Sequence, residues 1–163
     1  MSTTVELRDI VTEADRAAAL ALERGPGDDQ FVASVEQSFA DALEHPEACA
    51  RYWGVYDGDE LVGFTMISDN VPQATLDADP TLAGPYFLWR LLIDRRHQRR
   101  GYGTATLDAV VAYVRERPNG DALITSAGQG EGTPQPFYEG YGFVPTGEIM
   151  EDEVVLRLDL TDR

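Results

Sequence analysis

The chain has 163 residues, 43% of them apolar, and a formal net charge of −16. That length fits one domain, 1–163, with a sizeable core, and no stretch reaches the span of a bilayer. The charge argues against nucleic acid and anionic membranes as partners, because both need a basic face. All thirteen basic side chains are arginines. The N-terminus lacks the basic and apolar regions of a secretory signal, and the single Cys49 cannot form an internal disulfide, so a cytoplasmic location is expected. The acidity reads as a salt-adapted surface or as an acidic mouth for a cationic substrate.

Residues 4–11 alternate apolar and polar and predict a first strand. Thr12 is placed to cap a helix running to Arg24, ended by Gly25-Pro26-Gly27. Asp28 or Asp29 is expected to cap a second helix with Phe31, Val32, Val35, Phe39 and Leu43 on its apolar face. Tyr52–Tyr56 and Leu61–Ile67 predict a hairpin around Asp57-Gly58-Asp59-Glu60. Residues 68–85, with three prolines, read as a long loop. Tyr86–Ile93 is almost wholly apolar, as a strand covered on both faces is. Residues 101–117 predict a helix with Leu107, Val110, Val111 and Val114 facing inward. Strand 121–126, a glycine-rich loop 128–132, a short helix 133–140 with Pro134 near its start, and strands 141–148 and 154–160 complete the chain. The order implies an α/β or α+β sheet with a parallel pair near its middle.

The run Gln98-Arg99-Arg100-Gly101-Tyr102-Gly103, directly after the apolar strand, carries the most chemistry. A strand, a basic glycine turn and a helix start point several N–H groups and the positive end of a helix dipole at one place, an anion site suited to phosphate. The glycines are expected to let the backbone approach a pyrophosphate. Arg95, Arg96, Arg99 and Arg100 crowd this turn.

Two blocks, Ile93–Gly103 and Phe137-Tyr138-Glu139-Gly140-Tyr141-Gly142-Phe143, resemble the acyl-CoA loop and the following Tyr-x-x-x-Gly-Phe block of the GNAT acetyltransferase superfamily. The likeness runs from about Val5 to Leu160. It implies the GNAT N-acyltransferase fold, a mixed central sheet of about seven strands flanked by about four helices. Phe31-Val32-Ala33-Ser34, Leu88–Asp94, Gly130–Pro134, Phe143–Glu148 and Glu153–Arg157 are similar to segments of bacterial-type spermine/spermidine (diamine) N-acetyltransferases.

The resemblance implies acetyl-CoA as co-substrate. Backbone groups of Leu91, Leu92 and Ile93 would hold its pantetheine arm. Gln98, Arg99, Arg100, Gly101, Tyr102, Gly103 and Thr104 would cradle its pyrophosphate. The acceptor would be a primary amine of a small polycation such as spermidine or spermine. A free amine of pKa near 10.4 is neutral in only about one molecule in 2,500 at pH 7, a cost of roughly 4.6 kcal/mol, so a base must take its proton. Tyr138 stands where the family places a general acid, with Phe137 expected to be the core member of the pair. Some polyamine enzymes place a glutamate on the cofactor strand, but Trp89 occupies that position. Glu148 and Glu153 are the first candidates for base, followed by Glu36. Trp89, Glu36 and Phe31 are candidates for holding substrate, Trp89 by facing a cation or by packing in the core. Cys49 is expected to be buried and inert. No metal site is expected, as neither His45 nor His97 has ligand spacing. Two other readings stay open: acetylation of an aminoglycoside- or streptothricin-like antibiotic or of a protein amine, and a non-catalytic acyl-CoA sensor. A homodimer is also left open.

Overall fold

The computed structural model describes residues 3–161. Seven strands form one sheet in the order β1-β2-β3-β4-β5-β7-β6. They are β1 (Glu6–Asp9), β2 (Ala50–Asp57), β3 (Glu60–Asp69), β4 (Tyr86–Ile93), β5 (Ala122–Ala127), β6 (Val144–Met150) and β7 (Glu153–Asp159). The helices are α1 (Glu13–Leu20), α2 (Val35–Glu44), α3 (Gln73–Ala78), α4 (Tyr102–Arg115) and α5 (Gln135–Tyr141). All neighbouring strands are antiparallel except β4 and β5, the expected parallel pair.

Helix α4 packs on one face of the sheet. Its Leu107, Val110, Val111 and Val114 are buried as their spacing predicts, against Trp53, Ile67, Tyr86, Leu88 and Leu156. Helices α1 and α2 cover the other face, where Ala19, Val35 and Phe39 meet Phe64, Met66 and Leu92. Thr12 caps α1 as expected, in a reciprocal box with Asp15. Strand β1 stops at Asp9, and Val11 instead donates its N–H to Asp15, leaving its side chain 80% exposed.

The second helix differs from its expectation. Ser34, not Asp28 or Asp29, caps α2 by accepting from the Gln37 N–H at 3.1 Å. The Asp28 carboxylate is used elsewhere, accepting from the Gly25 N–H at 3.0 Å and from Gln98 Nε2 at 2.8 Å. Residues 28–30 form only a single 3₁₀ turn, so Phe31 and Val32 lie off the helix. Leu43 is on α2 but 82% exposed, against the expected inward face. The segment read as a loop contains α3, and α1 and α4 end earlier than their patterns suggest.

Two irregularities in β4 position the site. Its ladder with β5 is only Phe87–Ile124 and Leu88–Thr125, after which the two strands part. Its ladder with β3 has an extra residue at Trp89, between the pairs Ile67–Leu88 and Met66–Arg90. Such a bulge bends the strand and re-aims side chains. Leu88 and Leu91 pack on the α4 side, whereas Trp89 packs into the cluster on the α2 side and Arg90 pairs with Asp41 of α2.

Candidate active site

Beyond β4 the chain makes a 3₁₀ turn, Arg95–His97, and then enters α4. Asp94, fully buried, organises this turn. It accepts from the Glu23 N–H at 2.8 Å, the Arg96 N–H at 3.2 Å and Arg96 Nε at 2.7 Å. Burial pushes its pKa up, but the bonds from Arg96 and the backbone outweigh burial and hold it below the usual carboxylate value. Arg96 is thus committed to the scaffold, while Arg99 and Arg100 are exposed and enter no ion pair among the described residues.

Arg99 (φ 65°) and Gly101 (φ 83°) are left-handed on either side of Arg100. Alternating handedness turns successive N–H groups into one concavity, the geometry of an anion nest. No side chain caps α4, so its first N–H groups lie open at the positive end of the helix. The glycines also serve the fold itself. Gly101 supplies the left-handed turn, whereas a Cβ on Gly103 would come 3.1 Å from the Phe137 ring, so its smallness serves the packing of α5. Gln98 turns inward, donating to Asp28 and, at 3.0 Å, to the Ile93 carbonyl. That carbonyl is therefore already engaged, while Leu91 and Leu92 lie past the end of the β4–β5 ladder.

Where β4 and β5 part, a cavity of about 400 Å³ opens, lined by residues from widely separated stretches of the chain. Tyr138 of α5 reaches it and is 7% exposed. Its ring lies 5.4 Å from both Phe137 and Phe143, and Phe137 is 37% exposed, so Tyr138 is the core member of the pair, reversing the expectation. Burial raises the Tyr138 hydroxyl to about 12; the Thr125 hydroxyl pulls the other way and the Glu153 charge adds to the rise.

Glu153 also lines the cavity and accepts from Ser126 Oγ at 2.6 Å. The β6–β7 hairpin aims it there. Met150 pairs with Glu153, and the two residues between, Glu151 (φ 50°) and Asp152 (φ 66°), are both left-handed. That is the signature of a tight primed turn. Glu148 lies in the exposed, unpaired stretch of β6 and does not line the cavity. Glu36 is exposed on α2 and also lies outside it. Phe31 and Trp89 do line it. Cys49 is half-buried with a left-handed backbone (φ 52°), not the buried residue expected.

Sequence reading missed Asp41, Glu47, Arg90 and Glu151, which line the same cavity. Arg90 donates to Asp41 at 2.5 Å, to Ser38 Oγ at 3.2 Å and to the Trp89 carbonyl at 3.0 Å. The pair spans 49 residues of sequence, so no local pattern announces it.

The profile of the acetyltransferase (GNAT) family matches residues 12–143. The chain belongs to the GNAT acetyltransferase family. It is 30% identical over 142 residues to the spermine/spermidine N(1)-acetyltransferase of Bacillus subtilis (strain 168), covering 85% of this chain and 88% of that protein. Its fold is shared with an acetyltransferase from Thermus thermophilus (TM-score 0.66, 22% identity, 98% and 100% of the two chains covered). It is also shared with a Bacillus subtilis acetyltransferase solved in complex with CoA (TM-score 0.59, 17% identity, 98% and 99% covered).

GNAT acetyltransferases take their acetyl group from acetyl-CoA, and this chain's residues fit that donor. The parted β4–β5 edges leave room for an extended arm beside Leu91, and the uncapped start of α4 with Arg99 and Arg100 suits a pyrophosphate. Held there, acetyl-CoA would supply a thioester carbonyl and a thiol leaving group. Among the described residues no group of three or more His, Cys, Asp or Glu side chains could hold a metal ion, and no helix is long and apolar enough to cross a membrane.

Proposed function

We propose that this GNAT enzyme transfers acetyl directly to a primary amine of a small polycation of the spermidine or spermine type. The observation that carries the reading is one cavity holding both a buried tyrosine hydroxyl and carboxylates. Tyr138 and Glu153 stand at the parting of β4 and β5, and the charged lining is four carboxylates (Asp41, Glu47, Glu151, Glu153) against the single guanidinium of Arg90. Such a wall attracts ammonium groups and concentrates them.

Glu153 accepts a proton from the incoming ammonium at its carboxylate, directly or through one water, and Ser126 holds that carboxylate in place. Tyr138 is protonated throughout the neutral range, as a tyrosine ordinarily is, with burial raising its pKa further to about 12. As the amine nitrogen bonds the carbonyl carbon and the C–S bond breaks, Tyr138 delivers its proton from Oη to the departing sulfur and regains one from that nitrogen, which sheds a second proton as the amide forms. Leu91 and Leu92 offer main-chain groups to the donor's arm, and the Arg99–Thr104 turn holds its phosphates. The similarity to the Bacillus subtilis spermine/spermidine enzyme supports the same substrate class.

The test is CoA release from acetyl-CoA with spermidine, spermine, 1,4-diaminobutane, an aminoglycoside and a peptide amine. Saturable turnover favouring the polyamines supports the reading. Turnover confined to the aminoglycoside or the peptide overturns the substrate, and acetyl-CoA binding without turnover of any amine favours a sensor.

A further inference from the structure

Four carboxylates line the cavity, but they are not equivalent. Glu153 sits at the reacting end, bonded to Ser126 and close enough to Tyr138 to raise its pKa. Asp41 is bound by Arg90, with side chains only 18% and 15% exposed, so the two charges largely cancel. Glu151 lies on the exposed β6–β7 turn. Glu47 is exposed as Glu151 is, but it stands beside an imidazole. It follows α2 in a 3₁₀ turn, Pro46–Ala48, and meets no guanidinium among the described residues. Its carboxylate is 3.2 Å from His45 Nδ1, and the His45 ring stands 6.4 Å from that of Trp89.

We infer that Glu47, with His45 and Trp89, receives a second ammonium group of the acceptor, so that the cavity selects amines with two charges separated by a short hydrocarbon chain. The inference rests on the polyamine reading above. A carboxylate and an indole lining one cavity can together recognise an ammonium ion, combining charge with the negative face of the ring. The His45 imidazole holds the carboxylate in place. Arg90 also approaches the indole, at 5.4 Å, but its charge is matched by Asp41. Phe31, Val32, Leu82 and Leu88 line the same cavity and suit methylene groups. Phe31 and Val32 are available because α2 begins only after them. Trp89 follows Leu88 in the ordinary alternation and so stands on the α2 side of β4, and the bulge keeps Arg90 beside it on that side.

The experiment compares kcat/KM for 1,4-diaminobutane and n-butylamine, which have the same carbon chain and differ in one amine. The wild-type enzyme is expected to favour the diamine by about tenfold or more. Glu47→Gln should cut that ratio about tenfold through KM for the diamine, the scale of losing a partly exposed ammonium contact, and Glu47→Asp should restore part of it. Trp89→Leu should reduce the ratio as well. A wild-type preference that survives unchanged in Glu47→Gln overturns the Glu47 assignment while leaving the polyamine reading intact. No wild-type preference for the diamine overturns the polyamine reading itself.

Discussion

At its carboxyl end β4 runs into a turn of arginines and open N–H groups, suited to a polyanion. In its first half the same strand borders a cavity of carboxylates, suited to a polycation. The basic turn is contiguous, Ile93 to Thr104, and is shaped by Asp94 and by left-handed backbone at Arg99 and Gly101, with long-range ties to Glu23 and Asp28 of one neighbouring segment. The acidic cavity draws on α2, the turn after it, β4, β5, α5 and the β6–β7 hairpin. Local sequence can specify the first, whereas only the completed sheet brings the second together. Under the proposed function the same difference sets how each region should fail: a change in the turn should weaken grip on the donor, and a change in the cavity should remove chemistry or acceptor choice.

The largest effect is expected at Tyr138. Tyr138→Phe should lower kcat by about 10²–10⁴, the range for a lost general acid, with acetyl-CoA affinity by calorimetry little changed. A parallel loss of affinity would mean that the hydroxyl supports the fold at the strand parting instead. Glu153→Gln should lower kcat/KM for the amine by about 10², again without moving acetyl-CoA binding. The basic turn responds in the opposite way. Gly101→Ala forces a Cβ onto left-handed backbone at a cost of about 1–2 kcal/mol, and KM for acetyl-CoA should rise by about tenfold while KM for the amine holds.

Asp94 links that turn to stability. Because its folded pKa is depressed, its contribution is complete above the unfolded value of about 3.9 and is lost as pH falls through the folded value. Asp94→Asn should cost about 1–3 kcal/mol at pH 7, lowering Tm by several degrees, and the gap to wild type should narrow below about pH 4. The smallest effect is expected at the hairpin that aims Glu153. Asp152→Gly suits its left-handed backbone and should raise Tm by about 1–3 °C in thermal unfolding.

Much of the frame is legible in the sequence because its determinants are local. Thr12 and Asp15 are three residues apart and cap α1, and the inward positions of α4 follow one helical period. The second cap escapes such a reading because Asp28 bonds Gln98, 70 positions away, which no local pattern shows. The choice between Glu148 and Glu153 depends on a two-residue turn whose residues, Glu151 and Asp152, are not the pairs that advertise left-handed backbone. Asp41 and Arg90 read as ordinary surface charges until α2 and β4 are packed together. Tyr138 is found from its block, but its burial relative to Phe137 depends on how α5 sits against Gly103.

In a regular strand, side chains take turns above and below the sheet. The extra residue at Trp89 makes β4 miss a step. Leu88 faces the α4 layer, Trp89 and Arg90 both face the α2 layer, and Leu91 faces the α4 layer again. In Tyr86–Ile93, where nearly every residue is apolar, the shift leaves no trace in the hydropathy. Yet it sets the phase of the whole second half: if Trp89 took the place opposite Met66 and alternation ran on without a bulge, Leu91, Leu92 and Ile93 would exchange faces, whereas the bulge absorbs the extra residue and keeps them opposite Thr65, Phe64 and Gly63. The acidic wall of the cavity and the β4 edge proposed for the donor are therefore kept in phase by one supernumerary position.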